Sequence, residues 1–206
     1  MESIEHVKAN LDLYNQVLKQ KSVEEIIEFG LQLASSPILT SNFGPYSASL
    51  IHAVSQVEPN IRLIWCDTGF NTTQTLSFAD HLKKNLPFQL HVYKPIEHDY
   101  KKNIPNSDSL YFQDFVNKVK LEPFKRALDE HTPDVWFTNI RKGQTAYRDT
   151  LNILSINNEG ILRISPFYFW SETEIEEYLD QNGLPNEFAY YDPTKSKANL
   201  ECGIQL

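Results

Sequence analysis

The chain has 206 residues, enough for one domain with a sizeable core or for one domain with a short working tail. Its 19 Lys and Arg against 27 Asp and Glu give a formal charge of −8. That balance argues against extended contact with DNA or RNA, but a few placed cations could still hold one small phosphorylated ligand. No apolar run approaches the roughly 18 residues needed to span a bilayer, and the N-terminus lacks the basic stretch and apolar block of a secretory signal. The expectation is a cytoplasmic protein with no membrane or nucleic-acid partner. Its two cysteines, Cys66 and Cys202, form no C-x-x-C pair. They are too few for a cysteine-only zinc site or an iron–sulfur cluster, and they suggest no disulfide scaffold.

Along the chain, strand and helix signals alternate. Ser22-Val23-Glu24-Glu25 reads as a capping box opening a helix toward Ala34. Pro37 to Ser41 is a short apolar stretch, and Leu50, Ile51, Val54 and Val57 then recur at helical spacing. Ile61 to Cys66 is a near-continuous apolar run, as in a strand covered on both faces. A helix is predicted from Thr73 to Asn85, a strand from Gln89 to Tyr93, a helix from Pro123 to His131 and a strand from Val135 to Ile140. Asn157-Asn158-Glu159-Gly160 is a turn between two apolar runs. Ser171-Glu172-Thr173-Glu174 is a second capping box, whose helix should stop at Gly183. Repeated strand–helix units predict an α/β fold: a mostly parallel twisted sheet with helices on both faces, followed by a short irregular C-terminal tail. We read 1–206 as a single domain, with 185–206 as that tail.

Four segments carry chemistry, and three of them fall at predicted strand ends, where ligands bind in such sheets. The loop Ser41-Asn42-Phe43-Gly44-Pro45-Tyr46-Ser47 lies between a strand and a helix. Its backbone N–H groups could cradle a phosphate or sulfate, with Gly44 allowing close approach and Ser41 and Ser47 donating hydroxyls; it could equally be an ordinary turn. Asp67-Thr68-Gly69-Phe70 follows the buried run. Asp67 could bind a ribose hydroxyl or adenine amine, or could simply cap its own turn. Cys66, inside the apolar run, reads as a buried and inert small hydrophobe. Arg141-Lys142-Gly143-Gln144-Thr145-Ala146-Tyr147-Arg148 places three cations in eight residues. It could be an anion site, for which guanidinium forks suit phosphate oxygens, or a solvated basic loop. Glu201-Cys202-Gly203-Ile204 ends the chain with an accessible thiol. That thiol would become reactive against Arg141 or Arg148 and would otherwise have no role.

Together these segments resemble the phosphoadenosine phosphosulfate (PAPS) reductase family, part of the adenine nucleotide alpha-hydrolase-like superfamily. Ser41 to Ala48 is similar to the family's S-x-F-G-x-x-[AS]-A loop, and Asp67 to Phe70 to its D-T-G-[YF] segment. Lys120-Leu121-Glu122-Pro123 with Arg126-Ala127-Leu128 is similar to K-V-E-P…R-A-L. Trp136-Phe137 with Arg141, Gln144, Thr145 and Arg148 resembles W-x-[ST]-G-x-R-R-x-Q-[ST]-x-x-R, and Glu201 to Ile204 resembles the terminal E-C-G-L-H. Three places differ from that pattern. Gln205 stands where the family has His, Asn71 to Gln74 replace L-F-P-E, and the stretch from Asp192 to Cys202 is shorter than usual.

The resemblance implies thiol-dependent reduction of PAPS in sulfate assimilation. Cys202 would attack the sulfur to leave an S-sulfocysteine and release adenosine 3′,5′-bisphosphate. Reduced thioredoxin or glutaredoxin would then release sulfite. Cys202, Arg141 and Arg148 are the implied catalytic residues. Ser41, Phe43, Gly44, Pro45, Tyr46, Ser47, Asp67, Thr68, Gly69, Lys142, Gln144, Thr145, Glu201 and Gly203 are the implied substrate contacts. No bound cofactor, iron–sulfur cluster or metal is expected, and a homodimer is an open expectation. Two other readings remain: a related ATP-using sulfurtransferase or ligase, whose S-G-G-x-D-S loop the Phe43-Gly44-Pro45 sequence does not match, and a non-catalytic nucleotide-binding protein derived from a reductase.

Overall fold

The computed structural model describes residues 3–96 and 104–195. Two short helices, α1 (Ile4–Ala9) and α2 (Leu11–Leu18), precede α3 (Val23–Leu33), which opens with the Ser22/Glu25 capping box in full. Then come β1 (Pro37–Thr40), α4 (Ser47–Val57), β2 (Arg62–Cys66), α5 (Thr73–Asn85) and β3 (Gln89–Tyr93). After α6 (Phe112–Val116), a π-helical turn (Asn117–Leu121) runs into α7 (Glu122–His131). The remaining elements are β4 (Val135–Phe137), a 3-10 turn (Arg148–Thr150), β5 (Leu154–Ile156), β6 (Leu162–Ile164) and α8 (Glu172–Gln181).

The strands form one sheet in the order β3-β2-β1-β4-β6-β5, parallel except for the β5–β6 pair. That antiparallel pair is the hairpin signalled by Asn157 to Gly160, where Gly160 takes a φ of 79°. The free edge of β5 is covered by a side chain: the amide of Asn15 on α2 accepts from Leu154 N (2.8 Å) and donates to Leu154 O (3.1 Å). A buried amide thereby satisfies the backbone groups a neighbouring strand would have taken. The chain builds outward from β1 through β2 to β3, then returns to place β4 on the other side of β1. This reversal opens a crevice at the carboxyl ends of β1 and β4.

Four elements differ from the sequence expectation. Helices α1 and α2 and the α6–π segment lie on chain whose pattern gave no clear signal. Strand β4 stops at Phe137 rather than Ile140. Thr138 N still donates to Ile164 O (2.9 Å), but Asn139 turns out of the sheet and its Nδ2 donates to Tyr46 O (3.0 Å).

Helix α4 is buried on most of its circumference, between the sheet and helices α3 and α8. One consequence concerns pH. His52 on α4 shares a 2.8 Å hydrogen bond with the Tyr178 hydroxyl on α8, and burial holds its pKa below the ordinary value. Burial, then the neighbouring His91, lowers His131 in the same sense, and no other titratable group is implicated at His52. A histidine whose folded pKa is depressed takes up its proton first in the unfolded chain. Stability should therefore be flat above about pH 6.5 and fall as pH drops from there toward the folded-state values. Urea midpoints at pH 7.5 and 5.5 check this. The fall should be smaller in His52→Gln, and equal slopes for the two proteins would remove His52 from the account.

Candidate nucleotide-binding site

The crevice at the β1–β4 reversal holds a cavity of about 350 Å³, within the range of small-molecule sites. Its walls come from the loop after β1 (Ser41, Asn42, Pro45, Tyr46, Ser47), the end of β2 (Cys66, Thr68, Asn71) and the loop after β4 (Asn139, Arg141, Gln144, Arg148). Lys120, Glu172 and Tyr190 add contacts from further along the chain.

The loop after β1 is held open by strain and by local bonds. Phe43 and Tyr46 both lie in the left-handed region, with φ of 54° and 63°, a conformation that costs a non-glycine residue free energy and marks functional loops. Ser41 Oγ accepts from Phe43 N (2.9 Å), and Asn42 Oδ1 accepts from Gly44 N (3.1 Å). Phe43 turns its ring into the core, edge-on to Trp65 at 4.9 Å. Its side chain is an anchor for the loop and does not line the cavity. Gly44 lies close against Tyr190, and a Cβ there would sit 3.0 Å from the ring, which would have to give by a few tenths of an ångström. The loop delivers Ser47 to the first turn of α4, where its Oγ is buried without a hydrogen-bond partner.

Arg141 is the dominant charge. It is 2% exposed, its Nε has no hydrogen-bond partner, and its guanidinium stacks over the Tyr46 ring at 4.9 Å. The nearest carboxylate, Glu172, is 3.9 Å away and well solvated. Burial pulls the Arg141 pKa down from the ordinary guanidinium value, against the pull of Glu172 and Tyr46. An arginine stays charged regardless, so the cavity wall carries a buried cation with a donor to spare. Such a group is costly in an empty site and favourable once an anion arrives. Gln144 organises the loop, since its Oε1 accepts both Arg141 N (2.9 Å) and the Arg148 guanidinium. Arg148, half-buried, opens the 3-10 turn, and its carbonyl accepts from the Tyr168 hydroxyl (2.9 Å).

The other sequence candidates divide. Asp67 is buried, but its oxygens serve the turn and a lysine: Oδ1 accepts from Gly69 N (2.9 Å) and Asn71 Nδ2 (2.7 Å), and Lys94 lies 3.4 Å from Oδ2. That is the turn-capping arrangement, and Asp67 does not line the cavity, whereas its neighbour Thr68 does. Gly69 supplies the positive φ of 80° the turn needs. Lys142 is exposed and Thr145 accepts from Arg148 N (3.2 Å); neither lines the cavity. Glu201, Cys202 and Gly203 lie outside the described residues. Cys66 is a correction. It is half-buried at the strand's carboxyl end and faces the cavity, because β2 ends there and the apolar run overstated its enclosure. Asn139, Lys120 and Tyr190 escaped the sequence reading. Only Lys120 had a signal, in the K-L-E-P segment.

A mostly parallel sheet whose reversal point holds a strained loop, a helix N-terminus and a buried arginine makes an α/β domain with an anion-accepting crevice at its switch point. The profile of the phosphoadenosine phosphosulfate reductase domain matches residues 36–192. A phosphoadenosine 5′-phosphosulfate reductase of Photobacterium profundum is 32% identical over 197 residues, covering 92% of this chain and 75% of that protein. One from Xylella fastidiosa is 33% identical over 183 residues, covering 85% and 76%. In structure, the PAPS reductase of Candida auris, solved as a phosphate complex, superposes with a TM-score of 0.73 at 24% identity over 89% of this chain and 87% of that one. The chain belongs to the phosphoadenosine phosphosulfate reductase family.

Proposed function

We propose that the chain reduces PAPS to sulfite and adenosine 3′,5′-bisphosphate, as a single-domain cytoplasmic enzyme supplied with electrons by thioredoxin or glutaredoxin. In the first step the Cys202 thiolate attacks the sulfur of the sulfonate group. A sulfur–sulfur bond forms, the sulfur–oxygen bond to the nucleotide breaks, and adenosine 3′,5′-bisphosphate leaves with both electrons of that bond. In the second step a thiolate of the reduced donor attacks Cys202 Sγ. Sulfite departs, and the donor's second thiol resolves the mixed disulfide. Dividing the reaction in this way replaces one hard transfer by two displacements at sulfur.

The observation that carries this reading is Arg141, a buried guanidinium whose Nε lacks a partner and which lines the same cavity as Ser47, whose Oγ at the start of α4 is equally unpartnered. Donors fixed in advance at an enclosed site stabilise a multiply charged anion without reorganising when it binds. Arg148 on the same wall adds charge for the nucleotide's further phosphate. Isothermal titration with adenosine 3′,5′-bisphosphate and with AMP tests the assignment. The bisphosphate should bind more tightly by about 1.5–3 kcal/mol, the contribution of one charge-assisted bond. Equal affinities would count against PAPS as the substrate.

A further inference from the structure

From Leu184 to Lys195 the chain contains neither helix nor strand, yet Glu187, Asp192, Pro193 and Thr194 are buried. Backbone without a regular ladder lies against a surface only where other groups hold it there. At one end Asn186 Oδ1 accepts from Tyr46 N (2.8 Å), and the Tyr190 ring rests on Gly44. At the other end is a denser cluster. Lys120 pairs with Asp192, their side chains only 7% and 2% exposed, and Lys120 Nζ also donates to Thr194 Oγ1 (3.3 Å). The Tyr190 hydroxyl donates to Asp192 Oδ2 (3.2 Å), while Thr194 N (3.0 Å) and Thr194 Oγ1 (2.6 Å) both donate to Asp192 Oδ1. Burial raises the Asp192 pKa, but Lys120 and then Thr194 outweigh it and hold the carboxyl below its usual range. Lys120 is buried in the π-helical turn, a form found mostly as a local insertion at functional sites.

This cluster joins two parts of the cavity wall. Lys120 and Tyr190 both line the cavity, and Asp192 binds each of them. We infer that Asp192 is a positioning residue that, through Lys120, Tyr190 and Thr194, fixes the chain at the cavity rim and so sets the point from which the segment bearing Cys202 departs. Cys202 follows Thr194 by only eight residues, a span of at most about 28 Å when extended. Without the cluster the next fixed point is Tyr190, whose ring rests on Gly44, 12 residues before Cys202. Lengthening the connecting chain from eight to 12 residues lowers effective concentration roughly twofold, since it falls as about the −3/2 power of length.

The inference rests on the proposed reductase chemistry, and Asp192→Asn separates the two. With PAPS saturating, the rate of sulfonate transfer to Cys202, followed by intact-protein mass spectrometry, should fall about twofold. Affinity for adenosine 3′,5′-bisphosphate should stay unchanged, so kcat drops and KM does not. Hydrogen exchange at the Thr194 and Lys195 amides should accelerate at least tenfold, with the sheet amides unchanged. A wild-type transfer rate, or unchanged exchange at those two amides, overturns the anchor. Thr194→Val, which removes one hydroxyl from the cluster and keeps its shape, gives the same reading in weaker form if Asp192→Asn fails to fold. No adduct on the wild-type protein would sink the reductase reading, and the exchange result would still decide the anchor.

Discussion

Arg141→Met should abolish measurable binding of adenosine 3′,5′-bisphosphate while leaving the thermal midpoint of the free protein unchanged or raised. The two halves of this expectation have one cause. In the free protein Arg141 is a buried cation with an unpartnered Nε, and its nearest carboxylate is too distant for a hydrogen bond. Replacing such a charge with an apolar side chain of similar length is often neutral or stabilising, because the desolvation cost disappears. The stacking on Tyr46 is then exchanged for an ordinary apolar contact. In the complex the same guanidinium would make two or more charge-assisted bonds, each worth about 1.5–3 kcal/mol, so that roughly a hundredfold or more of affinity is lost. Arg148→Ala should cost less, about 1.5–3 kcal/mol, since Arg148 is more exposed and already engaged with Gln144. A calorimetric titration and a melting curve on each variant check both halves. A destabilised Arg141→Met that still binds nucleotide would make Arg141 a structural residue.

Much of the sheet was legible because its elements carry local signals. The capping boxes at Ser22 and Ser171 fixed two helix starts, and the run ending at Cys66 marked a strand covered on both faces. The same run misled at its last residue, since burial along a strand says nothing about what lies beyond its end; Cys66 faces the cavity. Where charge and turn chemistry coincide the cavity wall was legible in part: Arg141, Gln144 and Arg148 line it, and Lys142 and Thr145 do not. It was illegible where function depends on contacts distant in sequence. Asp192 and Lys120 are 72 residues apart, and nothing local to either announces their pair. Nor could local sequence decide whether Asp67 faced a ligand or its own turn. Its bonds to Gly69 and Asn71 show the turn. Phe43 illustrates the reverse case: a residue belonging to a binding motif whose side chain serves the core and leaves the backbone to shape the loop.

The chemistry proposed above depends on Cys202. A thiolate is the nucleophile in displacement at sulfur, and nearby guanidinium groups favour that form. Incubation with PAPS in the absence of reductant should therefore add one sulfonate to the protein, located at Cys202. The adduct should persist until reduced thioredoxin is supplied, and then leave as sulfite. Cys202→Ser should form none while binding adenosine 3′,5′-bisphosphate as before. Because Cys66 also faces the cavity, Cys66→Ser is the necessary companion, and it should keep the adduct at Cys202. Intact-protein mass spectrometry with peptide mapping reads all three proteins directly. One sulfonate on the wild type and on Cys66→Ser, and none on Cys202→Ser, is the expected pattern. No mass shift on the wild type with the nucleotide site saturated would contradict the reductase assignment and leave a nucleotide-binding protein in its place.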